Sequence, residues 1–561
     1  MWQKISLFLR KNKWWVLGLL GGVAFFVCYV WFAVVIDASR HFPSPDEASN
    51  AFWSEVFRQD SVLWQVNPLS VVYGDVVHPR SMRAIEGMLV PGGFLGLPVL
   101  IGLVGKIWGV LMIGVVPLFA VFGVVSFGMI VGAWVGNRRV GVIAGVLAGV
   151  HPAWWYWASR VYMPQVAAMS LAMMSVLFVV CQPMRKKMLN VVLSAVCAGL
   201  ALVVRPDVVV WFVLAAMVGM VWYRKAFFEV CWKRDLMVWI GVFVVVLVPF
   251  LVMNYATYGV VFGSGYGSGL EVGVVANAEA GWFEKLVFPL GFAPRLAWQN
   301  GVDFLLYLFP LWSGLVAMGV VYWAWLVFRK KGVVERVKEM LRGQCVYDAF
   351  VTWLIVMIGV GGYMVLFYGS YVLSDNTVVG AVTIGISYTR YWLLLYLLSV
   401  IPVAVMLGNM FEEGLLWHKP RNDRIRIGVV IGVMVGLVIS GWKAVWWAPH
   451  WMEPSIEKLS QVENAVRGDA KLAEEILVLT ETGSVIVTER ADKFLFPARQ
   501  VIVPLRSLGT FTAVEQMLGD GVPVYYFGFS IQDDEEVRLG DFVLKRVKVF
   551  GVLTLYKVTS N

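Results

Sequence analysis

The sequence predicts an α-helical polytopic membrane protein of about 11 transmembrane helices, followed by a small external α/β domain. Three observations predict it. The chain is 59% hydrophobic and only 15% charged over 561 residues, with a mean hydropathy of +0.74; soluble domains carry about 25% charge. Apolar runs of 18 or more residues, the length that spans a bilayer, recur along most of the chain. After residue 447 the composition changes: 448–561 holds 12 Lys/Arg and 16 Asp/Glu, a net of −4, against +13 for the remainder. An ordinary cytosolic enzyme, a disordered chain and a coiled coil are thereby excluded.

The elements follow in order. Lys4, Arg10, Lys11 and Lys13 precede an apolar run at 14–36. The run is too long for a signal peptide and has no small-residue cleavage site, so it reads as an uncleaved anchor with its basic flank inside. Inside clusters are then expected at Arg138/Arg139, Arg185–Lys187, Arg224 to Arg234, Arg329 to Arg342 and His418 to Arg426. Spans at 110–135, 140–158, 162–182, 188–204, 207–222, 236–256, 303–328, 349–368, 390–411 and 427–447 satisfy every cluster. They place the N-terminus in the cytoplasm and the C-terminal domain outside, a multi-pass arrangement in the cell membrane. The stretch 93–108 is expected to be re-entrant or surface-lying, because a full span there would invert every later cluster. The net charge of +9 sits in these loop clusters and does not indicate nucleic-acid binding.

Regions 37–92, 257–302 and 448–561 fall outside. In the last, Ser484–Glu489, Gln500–Leu505 and Pro523–Gly528 read as short buried strands, Thr510–Leu518 as an amphipathic helix and Phe542–Val558 as a hairpin. Cys28, Cys181, Cys197, Cys231 and Cys345 suggest neither a disulfide framework nor a metal site. The 27 tryptophans cluster near span ends, as in an aromatic belt.

The loop 37–92 carries the candidate chemistry. It holds Asp37, Asp46, Glu47, Glu55, Asp60, Asp75 and Glu86, with His41 and His78. Ser44 and Glu47 form a capping box with Pro45 at the first helical position, which starts a helix at about residue 45. Phe52, Trp53, Val56 and Phe57 give that helix an apolar stripe suited to the outer membrane surface. Asp46 then lies in the first turn, where free N–H groups and the helix dipole favour a carboxylate. Such a carboxylate can act as a general base or merely cap the helix. Glu47 serves as the reciprocal cap or as a second acid.

The order is a basic N-terminus, one span, an acidic Pro45-Asp46-Glu47 loop with a helix, then Gln59-Asp60-Ser61-Val62-Leu63-Trp64 and a Gly/Pro-rich apolar segment. His151-Pro152, Ser159-Arg160-Val161-Tyr162-Met163-Pro164, Val204-Arg205-Pro206 and Thr389-Arg390-Tyr391-Trp392 follow, with Asn254-Tyr255, Tyr258-Gly259 and Gly265-Tyr266 between them. Over about residues 14–410 this resembles the GT-C superfamily of membrane glycosyltransferases, in its protein O-mannosyltransferase and aminoarabinose transferase branch. One departure is that His78-Pro79-Arg80 and Pro91-Gly92-Gly93 stand where the aminoarabinose transferases carry Lys-Pro-Pro.

The resemblance implies a GT-C-type glycosyltransferase of the cell envelope that uses a polyprenyl-phosphate-linked sugar and an external protein, lipid or glycan acceptor. It implies Asp46 as catalytic base in an inverting displacement. Because phosphate is a good leaving group, the protein must chiefly position the reactants and neutralise charge, which points to Arg160, Arg205 and Arg390 at external span ends. Arg205 and Asp207 lie between apolar runs of about 17 and 16 residues, a little short of the bilayer core at ~1.5 Å per residue, so a charge there should face a cavity or a partner. Headgroup anchoring, or pairing with Asp207, is the other reading of these arginines. His78, Arg80, Asp75 and Glu86 are candidates for the same pocket. No cofactor is required; the acidic loop leaves room for a divalent metal, but no ligand spacing indicates one. Gly263 to Gly269 is a flexible loop able to close over a donor, not a phosphate-binding loop, since no Gly-Lys-Ser/Thr follows. The external domain is expected to help choose the acceptor. The alternative function is a polytopic lipid or solute transporter or flippase without transferase activity. Transporters usually place polar residues near the bilayer midplane and often show internal repeats, and neither is seen.

Overall fold

A computed structural model describes residues 13–37, 41–180, 187–222, 232–263, 265, 282, 287–331, 349–373, 381–413, 423–446, 458–503, 508–531 and 536–560. Most of the basic clusters after Arg139, three of the five cysteines (Cys181, Cys231 and Cys345) and most of 263–269 lie outside the described residues. The chain divides into two compact units. The first comprises Met1–Ala33, Ile113–Val248 and Leu270–Gln461; the second comprises Val34–Met112, Pro249–Gly269 and Val462–Asn561.

Five helices among the described residues are long and apolar enough to cross a membrane: Gly109–Val135, Arg234–Tyr258, Pro310–Arg329, Ala349–Gly369 and Leu393–Met410. Six shorter apolar helices accompany them, Leu20–Val35, Gly96–Ile107, Pro164–Val180, Met188–Val204, Pro206–Ala215 and Ile431–Val445. The expected class, a polytopic helical membrane protein with an α/β region at its end, is the observed one.

Several expected spans are more broken than their hydropathy suggests. The run 140–158 is two helices, Arg138–Val150 and Pro152–Ala158. His151 between them is extended (φ −61°, ψ 127°), as the residue before a proline tends to be. The run from 303 opens in a π-helical turn, Asp303–Tyr307, before Pro310–Lys331. A second π-helical turn, Met357–Gly361, interrupts 349–369. Wide turns of this kind are frequent at functional sites.

In the first unit, helices Val115–Val135 and Arg138–Val150 meet back to back through glycine. A Cβ at Gly141 would lie 2.5 Å from the Gly128 carbonyl oxygen, and one at Gly128 would lie 2.7 Å from the Gly141 carbonyl oxygen. Without a hydrophobic drive between helices in lipid, such close backbone approach supplies the packing. On Trp232–Tyr258, Met237, Ile240, Val244 and Val245 are exposed, as a lipid-facing surface requires.

The second unit is built on a six-stranded sheet of order β5-β4-β6-β9-β8-β7. β4 (Val485–Val487) pairs in parallel with β5 (Gln500–Ile502) and β6 (Val524–Phe529). β6, β9 (Leu553–Ser560), β8 (Phe542–Phe550) and β7 (Glu536–Leu539) run antiparallel in turn. Helices Leu459–Leu479 and Leu508–Gly519 accompany the sheet. The three strands, the helix and the hairpin expected from the sequence are all present. The first loop joins this unit. Val77 is fully buried in one core with Val485, Val487, Ile502, Met517 and Val558, and Leu69, Tyr73 and Val76 pack against it. The loop also carries its own small sheet, β1 (Gln65–Val66), β3 (Met88–Pro91) and β2 (Met82–Ile85), with β3 in the middle. Gly96–Ile107 has 12 residues, about 18 Å at 1.5 Å each, which is short of the ~30 Å bilayer core. It packs along the helix Pro45–Asp60, and Gly102 allows the contact: a Cβ there would lie 2.8 Å from the Ser54 carbonyl oxygen.

Candidate functional site

The first-loop helix starts where its capping signal places it, at Pro45, and runs to Asp60. Ser44 is extended, and its Oγ accepts from the Glu47 backbone N–H at 3.3 Å and donates to Glu47 Oε2 at 3.1 Å. Glu47 is buried and serves the cap. Asp46, in the same first turn, accepts a 2.6 Å hydrogen bond on Oδ1 from Ser81 Oγ. The apolar stripe does not lie on a membrane surface. Trp53 and Phe57 are buried with Leu63, Met82, Leu89, Leu95 and Val99, and Phe52 and Val56 pack against the same cluster. The stripe is therefore the helix's packing face, and burial there holds Asp46 in place.

Arg80 turns toward the C-terminal strands. Its backbone N–H, Nε and Nη2 donate to the buried Asp492 carboxylate at 2.8, 2.9 and 2.7 Å. Asp75 closes the β2–β3 turn: its two oxygens accept from the backbone N–H groups of Glu86 and Gly87 at 3.0 and 3.1 Å. Glu86 is exposed in that turn with φ 49°. His78 Nδ1 lies 2.9 Å from the Pro79 carbonyl oxygen, and burial holds its pKa below the usual histidine value. Among the described residues, no group of three or more His, Cys, Asp or Glu side chains gathers as a metal would need. Within this unit the structure thus brings Asp46 together with Ser81, and Arg80 with Asp492, while Asp75 and Glu86 build a turn. Ser81 and Asp492 carry no local sequence signal. Ser81 stands out only by its backbone, and Asp492 only by a partner 412 residues away.

In the first unit, the three expected arginines share aromatic neighbours. Arg160, in the turn before Pro164, is buried, donates to Tyr156 Oη at 2.8 Å and lies over the Trp157 ring at 5.6 Å. Arg390, on the short helix Ser387–Tyr391, lies over the same Trp157 ring at 5.8 Å and over Tyr391 at 5.2 Å. Arg205 lies over Tyr391 at 5.3 Å, and its Nε is 2.8 Å from Asp207 Oδ1. Asp207 also accepts from Tyr368 Oη at 3.0 Å, and Tyr368 stacks on Tyr391 with centroids 4.6 Å apart. Trp157 Nε1 donates to Thr389 Oγ1 at 2.8 Å, which fixes the indole that both guanidinium groups approach. Each cation–π contact supplies roughly 0.5–2 kcal/mol. Three guanidiniums and one carboxylate on a mostly buried aromatic frame form a site suited to an anion, and guanidinium binds phosphate through paired hydrogen bonds.

No family model and no curated protein sequence matches the chain. Solved structures similar in fold include two of one protein. One is ArnT from Cupriavidus metallidurans bound to undecaprenyl phosphate, at a TM-score of 0.51 and 11% identity, covering 97% of this chain and 98% of that one. The other is ArnT from the same organism in the apo state, at 0.50 and 12%, covering 98% of each chain. At such identity the likeness establishes architecture alone: the chain shares its fold with these two structures, in agreement with the architecture expected from the order of motifs.

Proposed function

We propose that the protein is a membrane glycosyltransferase that moves a sugar from a polyprenyl-phosphate carrier to an acceptor hydroxyl on the external side of the membrane. The observation that carries this reading is the arginine cluster, Arg160, Arg205 and Arg390, held by Trp157 and Tyr391 within an apolar helical body. Arg160 is buried and Arg205 and Arg390 are partly buried; guanidinium groups in such a body are suited to binding phosphate through paired hydrogen bonds, and a lipid-linked phosphate is an anion of that kind. The likeness in fold to an ArnT structure that holds undecaprenyl phosphate supports the same donor class.

In the proposed step the acceptor oxygen attacks the anomeric carbon and its proton passes to Asp46. The bond from that carbon to the phosphate oxygen breaks, and the arginines take up the charge left on the lipid phosphate. The configuration at the anomeric carbon inverts. Positioning and charge neutralisation do most of the work, because the leaving group needs little help.

The test uses the purified full chain in nanodiscs with labelled undecaprenyl phosphate as probe. Losing one charge-assisted contact costs about 1.5–3 kcal/mol, so Arg205→Ala and Arg390→Ala should each weaken binding about tenfold or more. Asp46→Asn should leave binding within about twofold and cut sugar transfer in membranes by roughly 10²–10⁴. Unaltered binding in both arginine variants would sink the phosphate assignment. Full transfer by Asp46→Asn would remove it as the base.

A further inference from the structure

We infer that Asp492, contributed by the C-terminal α/β region, is a positioning residue for Asp46: through Arg80 it holds the turn that presents Ser81, and Ser81 holds the Asp46 carboxylate. The inference rests on the reading of Asp46 as base and gives that base a controlling contact.

The chain of bonds is continuous. Asp492 is fully buried, and a buried carboxylate needs full compensation. It receives three hydrogen bonds from Arg80, one from the backbone N–H and two from the guanidinium. Arg80 Nη2 also donates to the Arg490 carbonyl oxygen at 3.0 Å. Gripping main chain and side chain of one residue fixes the backbone on either side of it. The next residue, Ser81, has φ 58°, a left-handed conformation that L residues seldom adopt. Its carbonyl oxygen accepts from Ser49 Oγ at 2.7 Å and from the Gly92 N–H at 2.8 Å. With the turn held from three sides, Ser81 Oγ reaches Asp46 Oδ1.

The same short segment grips the catalytic helix twice more. Lys493, ion-paired with Asp469, donates to the Pro43 carbonyl oxygen just before the N-cap. Phe496 packs edge-on against Phe52, centroids 5.1 Å apart. Other charged groups on the surrounding elements are engaged as well. Glu47 bonds Ser44, Glu55 pairs with Arg58, Lys106 bonds Ser61, and Arg83 Nη1 lies 3.4 Å from the Gly265 carbonyl oxygen.

The test reads Asp46 directly and needs no substrate. Purified full-length protein in nanodiscs is coupled with carbodiimide and glycine ethyl ester across pH, and the yield at Asp46 is followed by peptide mass spectrometry. Ser81→Ala should move the midpoint up by about one pH unit, because a hydrogen bond to the charged form is lost. Asp492→Asn should move it in the same direction, and the double variant should move it no further than Ser81→Ala alone. Lys557→Met, which breaks the Lys557–Glu481 pair elsewhere in the same sheet, should leave it in place. If Asp492→Asn fails to accumulate, Arg80→Gln, which keeps the backbone bond, reads the same arm. A wild-type midpoint in Asp492→Asn, additive shifts in the double variant, or an equal shift in Lys557→Met would each overturn the inference. The reading of Asp46 as base falls separately, on transfer by Asp46→Asn.

Discussion

Val77 tests whether the first loop folds as part of the C-terminal sheet. It belongs to the loop by sequence, but it is fully buried among Val485, Val487, Ile502 and Met517. Val77→Ala removes two buried methyl groups from this core. At about 0.8 kcal/mol per methyl, with a cavity contribution added, the cost is about 2 kcal/mol. If loop and sheet open as one cooperative unit, 2 kcal/mol corresponds to roughly 30-fold faster exchange of the protected amides. The assay is hydrogen exchange with mass spectrometry on the full chain, following peptides that contain Val485–Val487 and Gln500–Ile502. Exchange should accelerate there as well as in 67–80. Acceleration confined to 67–80 would refute the argument, because the loop would then be opening independently of a sheet that does not need it.

Gly141→Ala should drive a methyl group to within 2.5 Å of the Gly128 carbonyl oxygen. Overpacking of this kind costs about 1–3 kcal/mol, and a lowered melting temperature of the detergent-purified protein checks it. Acid should weaken the second unit through two groups. Burial lowers the pKa of His78 in the folded state, so the unfolded chain binds the extra proton first and stability declines as pH falls below about 6.5. Glu481 is held down to about 2 by Lys557 and Tyr525; its contribution is present above the usual carboxylate range and is lost as pH falls toward 2. Melts at stepped pH should show the slope below 6.5 flattened in His78→Gln, and an unchanged slope would count against the burial argument.

The legible parts of this protein are those set by neighbours in sequence. Apolar runs mark helices because a bilayer satisfies no backbone polar group outside one. Ser44, Pro45 and Glu47 mark a helix start because capping acts within one turn. Alternation and β-branched runs located β4, β5, β6 and the final hairpin, and the three arginines were singled out because charge at span ends must be accounted for. Even the break at His151–Pro152 was written in the chain, although hydropathy averaged over a window passed across it.

Long-range packing decided the rest. An amphipathic stripe is the same whether lipid or protein covers it, so only the fold shows that Trp53 and Phe57 pack within a protein core. No spacing announces that Trp157 also meets Arg390, or that Arg80 meets Asp492. Such contacts depend on loop closure over hundreds of residues, and their energy is realised only once the intervening elements have packed. Local chemistry therefore determined where the carboxylate and the arginines stand along the chain, and tertiary structure decided what holds each of them.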